Sequence, residues 1–376
     1  MARGCWLAAV AAVFGTASCA QAPASAERSA FSKQLFELPQ GENALHAGDL
    51  NGDGLIDLIS ASEEAGTVTV RLGDGLGGFA DGTEFSVDAM PTSIDSADFD
   101  GDGMADLAIA HHEQSTFTIA YGKGDGSVGN IEGHSLPDRI SPHVHMIRVA
   151  DIGGDGRVDL LVDSRDSFGI FTLRNVAGSP GVFEGAPVET GGAPYLGFAL
   201  GDIDGDGLVD IVTPNQRDTS VLLQNSSGGT FRIGQRLAVQ SPFAVALADI
   251  DGDGATDLIV ASDETRSGLF VFAGSGSGLF ETAASLELDL VSGAKNIATG
   301  DFDGDGRTDI VVTAWSGEIV VVLNRAGAHD IERVIMPNLE APWSVVAADF
   351  DNDGRSEIAI ADGLSGNGVI LSIDDQ

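Results

Sequence analysis

Residues 301–309 read DFDGDGRTD, and six near copies of this nonapeptide begin at Asp49, Asp98, Asp151, Asp202, Asp249 and Asp349. Successive starts lie 49, 53, 51, 47, 52 and 48 residues apart. A unit of that length cannot bury a hydrophobic face by itself, so a chain with this period folds as a solenoid or a propeller.

Within each copy, oxygen-bearing side chains stand at positions 1, 3, 5 and 9, and glycine at position 6. The sets are Asp49, Asn51, Asp53 and Asp57; Asp98, Asp100, Asp102 and Asp106; Asp202, Asp204, Asp206 and Asp210; Asp249, Asp251, Asp253 and Asp257; Asp301, Asp303, Asp305 and Asp309; and Asp349, Asp351, Asp353 and Glu357. The third copy has Gly153 at position 3 and keeps Asp151, Asp155 and Asp159. Short carboxylates on alternate residues, a backbone carbonyl at position 7 and a glycine for the sharp turn suit a hard cation that takes six to eight oxygens. Calcium is the expected ion, at up to one per loop. The position-7 carbonyls belong to Leu55, Met104, Arg157, Leu208, Ala255, Arg307 and Arg355. The third loop should bind most weakly, while the longer arm of Glu357 still reaches.

Two simpler readings explain less. An EF-hand needs a bidentate Glu at position 12 between helices, where this chain has Ser60, Ile109, Val162, Thr213, Val260, Val312 and Ile360. A plain Asp-Gly hairpin turn accounts for one copy but not for seven in one register. Three or four carboxylates within about 5 Å repel by around 1 kcal/mol per pair even in water, so aspartates kept only for turning would not be bunched so tightly.

The flanks of each loop are short runs rich in β-branched residues, such as Asp309–Thr313 and Asp257–Ala261, which read as buried strands. Each loop then joins the first two strands of its unit. A third strand and, after a Gly-rich turn closed by an apolar residue (Gly77-Gly78-Phe79, Ser277-Gly278-Leu279-Phe280), a fourth complete a propeller blade. Position 1 is preceded by Gly or Ala (Gly48, Ala97, Ala150, Gly201, Ala248, Gly300, Ala348) and followed by a large apolar residue. Small residues suit strands crowded round an axis, and large ones suit packing between blades. The last unit stops after three strands, while Phe31–Leu38 precedes the first loop at the offset of a fourth. The expected fold is therefore an all-β, seven-bladed propeller of four-stranded antiparallel blades, closed by the N-terminal strand.

The Asp-rich loop and the Gly-rich turn before Phe resemble the FG-GAP or VCBS family over Phe31–Gln376. That resemblance implies a calcium-loaded propeller like those of integrin α-chains, some lectins and many bacterial surface proteins. It is specific for fold and metal and unspecific for ligand, because family members include adhesins, lectins and propellers attached to lyases.

Ahead of the repeats, residues 1–19 carry Arg3, an apolar run from Trp6 to Phe14, and then small residues. The run is too short to span a bilayer and reads as a secretory signal. Thr16-Ala17-Ser18-Cys19 resembles a bacterial lipobox, with Cys19 as the lipidated residue and Thr in place of the usual Leu; the alternative is cleavage near residue 26. Residues 20–30 then form a tether and 31–376 the propeller. The expected location is extracytoplasmic, lipid-anchored at the bacterial cell envelope or otherwise secreted. Both cysteines, Cys5 and Cys19, lie in the leader, so the mature domain has no disulfide. The formal charge is −38, which argues against nucleic acid and against anionic membranes except through the anchor.

If the acidic loops share one face of the disc, the other carries the turns between second and third strands and the segments leading into first strands. Those places hold His111, His112, Glu63, Glu64, Arg165, Asn215, Arg217, Glu264, Arg266 and Trp315, and His143, His145, Tyr195, Phe243, Lys295, Asn296 and Trp343. Aromatics beside amides and charges around a central mouth suit a protein loop or a sugar ring, although such aromatics also cap strands in propellers without partners. The expectation is a binding or adhesion module for a protein or glycan at a cell surface, with a glycan-binding lectin as the alternative. The histidines near His111 and His143 are a weaker candidate for zinc or copper. The sequence has no G-x-S-x-G elbow and no H-E-x-x-H, which argues against an enzyme. A polysaccharide hydrolase or lyase using carboxylates such as Glu63, Glu64, Asp166 or Glu264 is the lesser alternative.

Overall fold

The computed structural model describes residues 31–39, 41, 43–88, 90–136, 144–164, 169–179, 181–192, 197–215, 218–226, 229–263, 268–290, 293–325, 328–335 and 339–373. Residues 1–30 with Cys19, and His143, Tyr195, Arg165, Asp166, Arg217, Glu264 and Arg266, lie outside these.

The described residues form twenty-eight strands in seven four-stranded antiparallel sheets, a seven-bladed propeller. The first blade runs outward from β2 (Asn43–Gly48) through β3 (Asp57–Ser62) and β4 (Thr67–Arg71) to β5 (Thr83–Ser86). Its acidic loop joins β2 to β3, and the pattern recurs in every blade. Inner strands of neighbouring blades lie against one another, with β2 beside both β6 (Pro91–Ala97) and β26 (Pro342–Ala348). Gly48 shows why small residues end the inner strands: a Cβ there would lie 3.2 Å from both His46 Nε2 and Ser96 Oγ of the next blade.

Closure follows the expected route. Strand β1 (Phe31–Glu37) pairs with β28 (Asn367–Ile373), from Phe31 opposite Ile373 to Glu37 opposite Asn367, and supplies the outer strand of the last blade. Second strands such as β3 and β27 (Glu357–Asp362) are buried throughout, because each is covered by a blade on either face. Their near-continuous apolar runs follow from that. Seven hydrophobic clusters carry the core, most drawing on two adjacent blades; one joins Leu45 and Leu58 to Phe350, Ala359 and Ile370 across the closure.

Candidate metal loops and the cavity opposite them

Each loop is wound around its first carboxylate. Asp301 Oδ1 accepts from the amides of Gly304 (2.8 Å) and Asp305 (3.1 Å), and its Oδ2 accepts from Gly306 (2.8 Å). Asp305 Oδ1 in turn accepts from the position-7 amide of Arg307 at 3.0 Å. This winding needs positive φ at positions 4 and 6, which Gly304 (75°) and Gly306 (82°) supply. The seventh loop has Asn352 at position 4 with φ 60°, and Asn is the side chain that best tolerates that region.

Position 9 has a second duty that spacing alone did not reveal. Asp309 Oδ2 accepts from the amide of Phe302 at 2.8 Å and Oδ1 from that of Asn324 at 2.7 Å. Asp57, Asp106, Asp159, Asp210 and Asp257 make the same two bonds, and Glu357 makes the first. The carboxylate thus ties loop to third strand in the blade interior. Burial pushes Asp106 and Asp309 up to about 6 and Glu357 up to about 7, against the amides that favour their charged forms. A cation beside them would favour ionisation.

Calcium fits five loops by their donor sets. Asp98, Asp100 and Asp106; Asp202, Asp204 and Asp206; Asp249, Asp251 and Asp257; Asp301, Asp303 and Asp309; and Asp349, Asp351 and Asp353 each bring one oxygen within 4.8 Å of the others. In the first loop Asn51 Nδ2 donates to Asp53 Oδ2 at 2.8 Å, leaving the amide oxygen as the position-3 donor. The third loop forms no such group and holds an arginine, Arg174, against Asp159. Among the described residues no group of this kind contains a histidine.

The loops also sit at the joints between blades. The carbonyl of Phe99, at position 2, accepts from Asn175 Nδ2 of the next blade (3.0 Å), and that of Ile152 from Gln224 Nε2 (2.9 Å). Asn324 Nδ2 bonds the Ile250 carbonyl likewise. Elsewhere the Gly-rich turn does the same work: Gly278 N donates to Ile203 O (3.2 Å), and Gly77 N to Phe350 O (3.3 Å) across the closure. The position-2 side chains are buried beneath these bonds.

At the opposite end of the axis lies a cavity of about 510 Å³. It gathers Glu63, His112, Trp315, His145, Phe243, Lys295, Asn296 and Trp343, all expected on this face. Lys295 Nζ is held between two indoles, 3.5 Å from the Trp315 ring centroid and 3.0 Å from that of Trp343. The two tryptophans meet edge to face at 6.0 Å, and Phe243 meets Trp315 at 6.4 Å. Across the mouth, His112 Nδ1 is 3.0 Å from Glu63 Oε1 and its ring packs 4.9 Å from that of His145. Asp163 sits behind His145: burial raises its pKa, but the His145 side chain and the amides of His145 and Met146 outweigh that and hold it below the usual range.

His111 is not part of this wall. It ends β7 (Asp106–His111), fully buried, with Nε2 2.8 Å from Thr118 Oγ1. Asn215 is also buried, donating to Asp218 Oδ1 and Ser220 Oγ at 2.8 Å each. Asp263 and Arg148 line the cavity without having been expected there. For Arg148 a signal existed. Three residues before the loop, the first three blades carry His46, Asp95 and Arg148, whereas the other four carry Ala199, Ala246, Ala298 and Val346. His46, Asp95 and Arg148 line a further space of about 280 Å³ along the axis.

A closed ring of seven blades, each with an acidic loop between its first two strands, defines a class of repeat propeller. The sequence pattern of the family described as FG-GAP-like repeat matches residues 49–109, 98–162, 202–260, 249–312 and 301–360, more than half of the chain, and the protein belongs to that family. No curated protein matches the chain. Among solved structures, BBS1N in its complex with ARL6DN superposes with a TM-score of 0.65 at 15% identity, over 93% of this chain and 98% of that one. A lectin from Agrocybe aegerita, whose structure concerns recognition of non-reducing terminal N-acetylglucosamine, superposes with a TM-score of 0.57 at 19% identity over 87% of each chain. Sqt1 of Saccharomyces cerevisiae gives 0.56 at 12% identity, over 88% and 83%. At these identities the likeness is one of fold.

Proposed function

We propose that this propeller is a calcium-stabilised binding module of the cell envelope, which engages a surface partner through the cavity opposite its metal loops. The cavity carries the reading: one mouth concentrates two tryptophans, a phenylalanine, an amide, two histidines and charges of both signs, in a space of about 510 Å³. That mixture suits a protruding protein segment or a terminal sugar. Calcium is assigned to the acidic loops from their donor sets, and secretion, with Cys19 as a lipid anchor and residues 20–30 as a tether, from the leader sequence.

The protein reading has the mixed charges of Glu63, Asp263, Lys295 and Arg148 in its favour. The glycan reading is favoured by the aromatic and amide wall of Phe243, Trp315, Trp343 and Asn296. Catalysis finds less support, since the clustered carboxylates are spent on repeated loops.

Immobilised wild-type protein and a Trp315→Ala/Trp343→Ala variant, compared on native cell-surface extract and on a glycan array, test the site. Specific capture by wild type that falls at least tenfold in the variant is expected. Equal capture by both would remove the cavity from consideration, and an array without hits would remove the glycan.

A further inference from the structure

Seven repeats in one chain allow each blade to be compared with its siblings. The residue following the third-strand partner of position 10 is Leu72, Tyr121, Leu223, Ala273, Leu323 or Ser372 in six blades and Arg174 in the third. The third blade is also the one whose loop has lost its position-3 side chain, to Gly153.

These two departures meet in space. Arg174 Nε lies 2.8 Å from the buried Asp159 Oδ2, and its Nη2 lies 3.6 Å from Asp155 Oδ2. A Cβ on residue 153 would stand 2.0 Å from Arg174 Nη2 and 3.0 Å from its Cζ. The guanidinium therefore fills the volume that the position-3 side chain takes in the other loops, and it faces the carboxylates of positions 5 and 9 together. Other arginines near loops do something different. Arg157, Arg307 and Arg355, at position 7, pair with the position-5 carboxylate of their own loop. Arg325 pairs with Asp303, yet the sixth and seventh loops keep three oxygens within 4.8 Å of one another. Among the described residues, a cation reaches position 9 only in the third loop.

We propose that the third loop takes no calcium and that the Arg174 guanidinium is its resident cation. With no side chain at position 3 the guanidinium has room, and its charge holds Asp155 and Asp159 as an ion would, independently of calcium supply. The sequence-based expectation of a weakened third site becomes a site of another kind. The proposal rests on the calcium reading only for its contrast with the other loops.

Calcium bound to purified protein, counted after exhaustive dialysis, tests the contrast. Asp151→Ala should leave the count unchanged, whereas Asp301→Ala, at the same position of the sixth loop and in its donor group, should lower it by one. A Gly153→Asp/Arg174→Leu variant should gain one ion. Loss of an ion from Asp151→Ala would overturn the proposal. Should Asp301→Ala lose none, the calcium reading of the sixth loop fails, and a second measurement still decides the role of Arg174. Arg174→Leu should lower the melting temperature by roughly 3 °C or more, equally in EDTA and in millimolar calcium. An unchanged melting temperature, or full recovery with calcium, would contradict the assignment.

Discussion

Asp309 shows how much one side chain carries. Each of its oxygens takes a backbone amide, from Phe302 and from Asn324, so Asp309→Ala would orphan two buried donors at about 1–3 kcal/mol each. A loss of about 2–6 kcal/mol is expected by thermal unfolding even in EDTA, separately from any loss of an ion. Asp362 illustrates the opposite titration. Burial raises its pKa, but the Ser365 hydroxyl and the amides of Ala341, Glu340 and Ser365 outweigh burial and hold it below the usual range. A carboxyl with a lowered folded value contributes stability above about pH 4 and loses it as the pH falls through that value. Asp362→Asn should therefore be less stable than wild type at pH 7, with the gap narrowing below pH ~4 in melting curves. At this scale the sequence was only partly legible. The spacing of oxygens exposed the loops, but that position 9 also braces the blade depends on strand register. His111 and His112 looked like a pair, yet adjacent residues at a strand end face opposite sides, so one is buried and the other reaches the cavity.

Blades and their joints were the most legible level, because a pattern read seven times averages out local ambiguity. The Gly-rich turn was recognised as a turn; that its amide, or an Asn or Gln in its place, latches onto the preceding blade's loop was not, since no local signal marks a partner some seventy residues away. Because these latches end on position-2 carbonyls, ordering a loop tightens a joint, and an ion bound there would be coupled to packing between blades. Strand β1 closes the ring, so deleting residues 31–37 should leave β28 as an open edge. Loss of cooperative unfolding, or self-association in size-exclusion chromatography, is expected; an unaltered monomeric melt would contradict the role assigned to β1.

On the scale of the whole molecule, the structure separates two faces: loops that concentrate carboxylates and a mouth where aromatics gather beside charges of both signs. A chain of formal charge −38 spreads its few cations thinly, which makes Lys295 and Arg148 at the mouth conspicuous. Eight of the residues that line the cavity were legible in the sequence, because antiparallel blades put alternate connections on alternate faces. Arg148, whose side chain projects from within an inner strand, was not. Thermal unfolding of the protein in EDTA and in millimolar calcium, with bound ions counted, tests the central claim most directly. An upward shift of about 10 °C or more with about six ions per chain is predicted, since each filled site adds about 2.7 kcal/mol at a hundredfold excess over its dissociation constant. No shift and no retained ions would mean that the aspartates hold the blades without metal, and the account of these loops would fail.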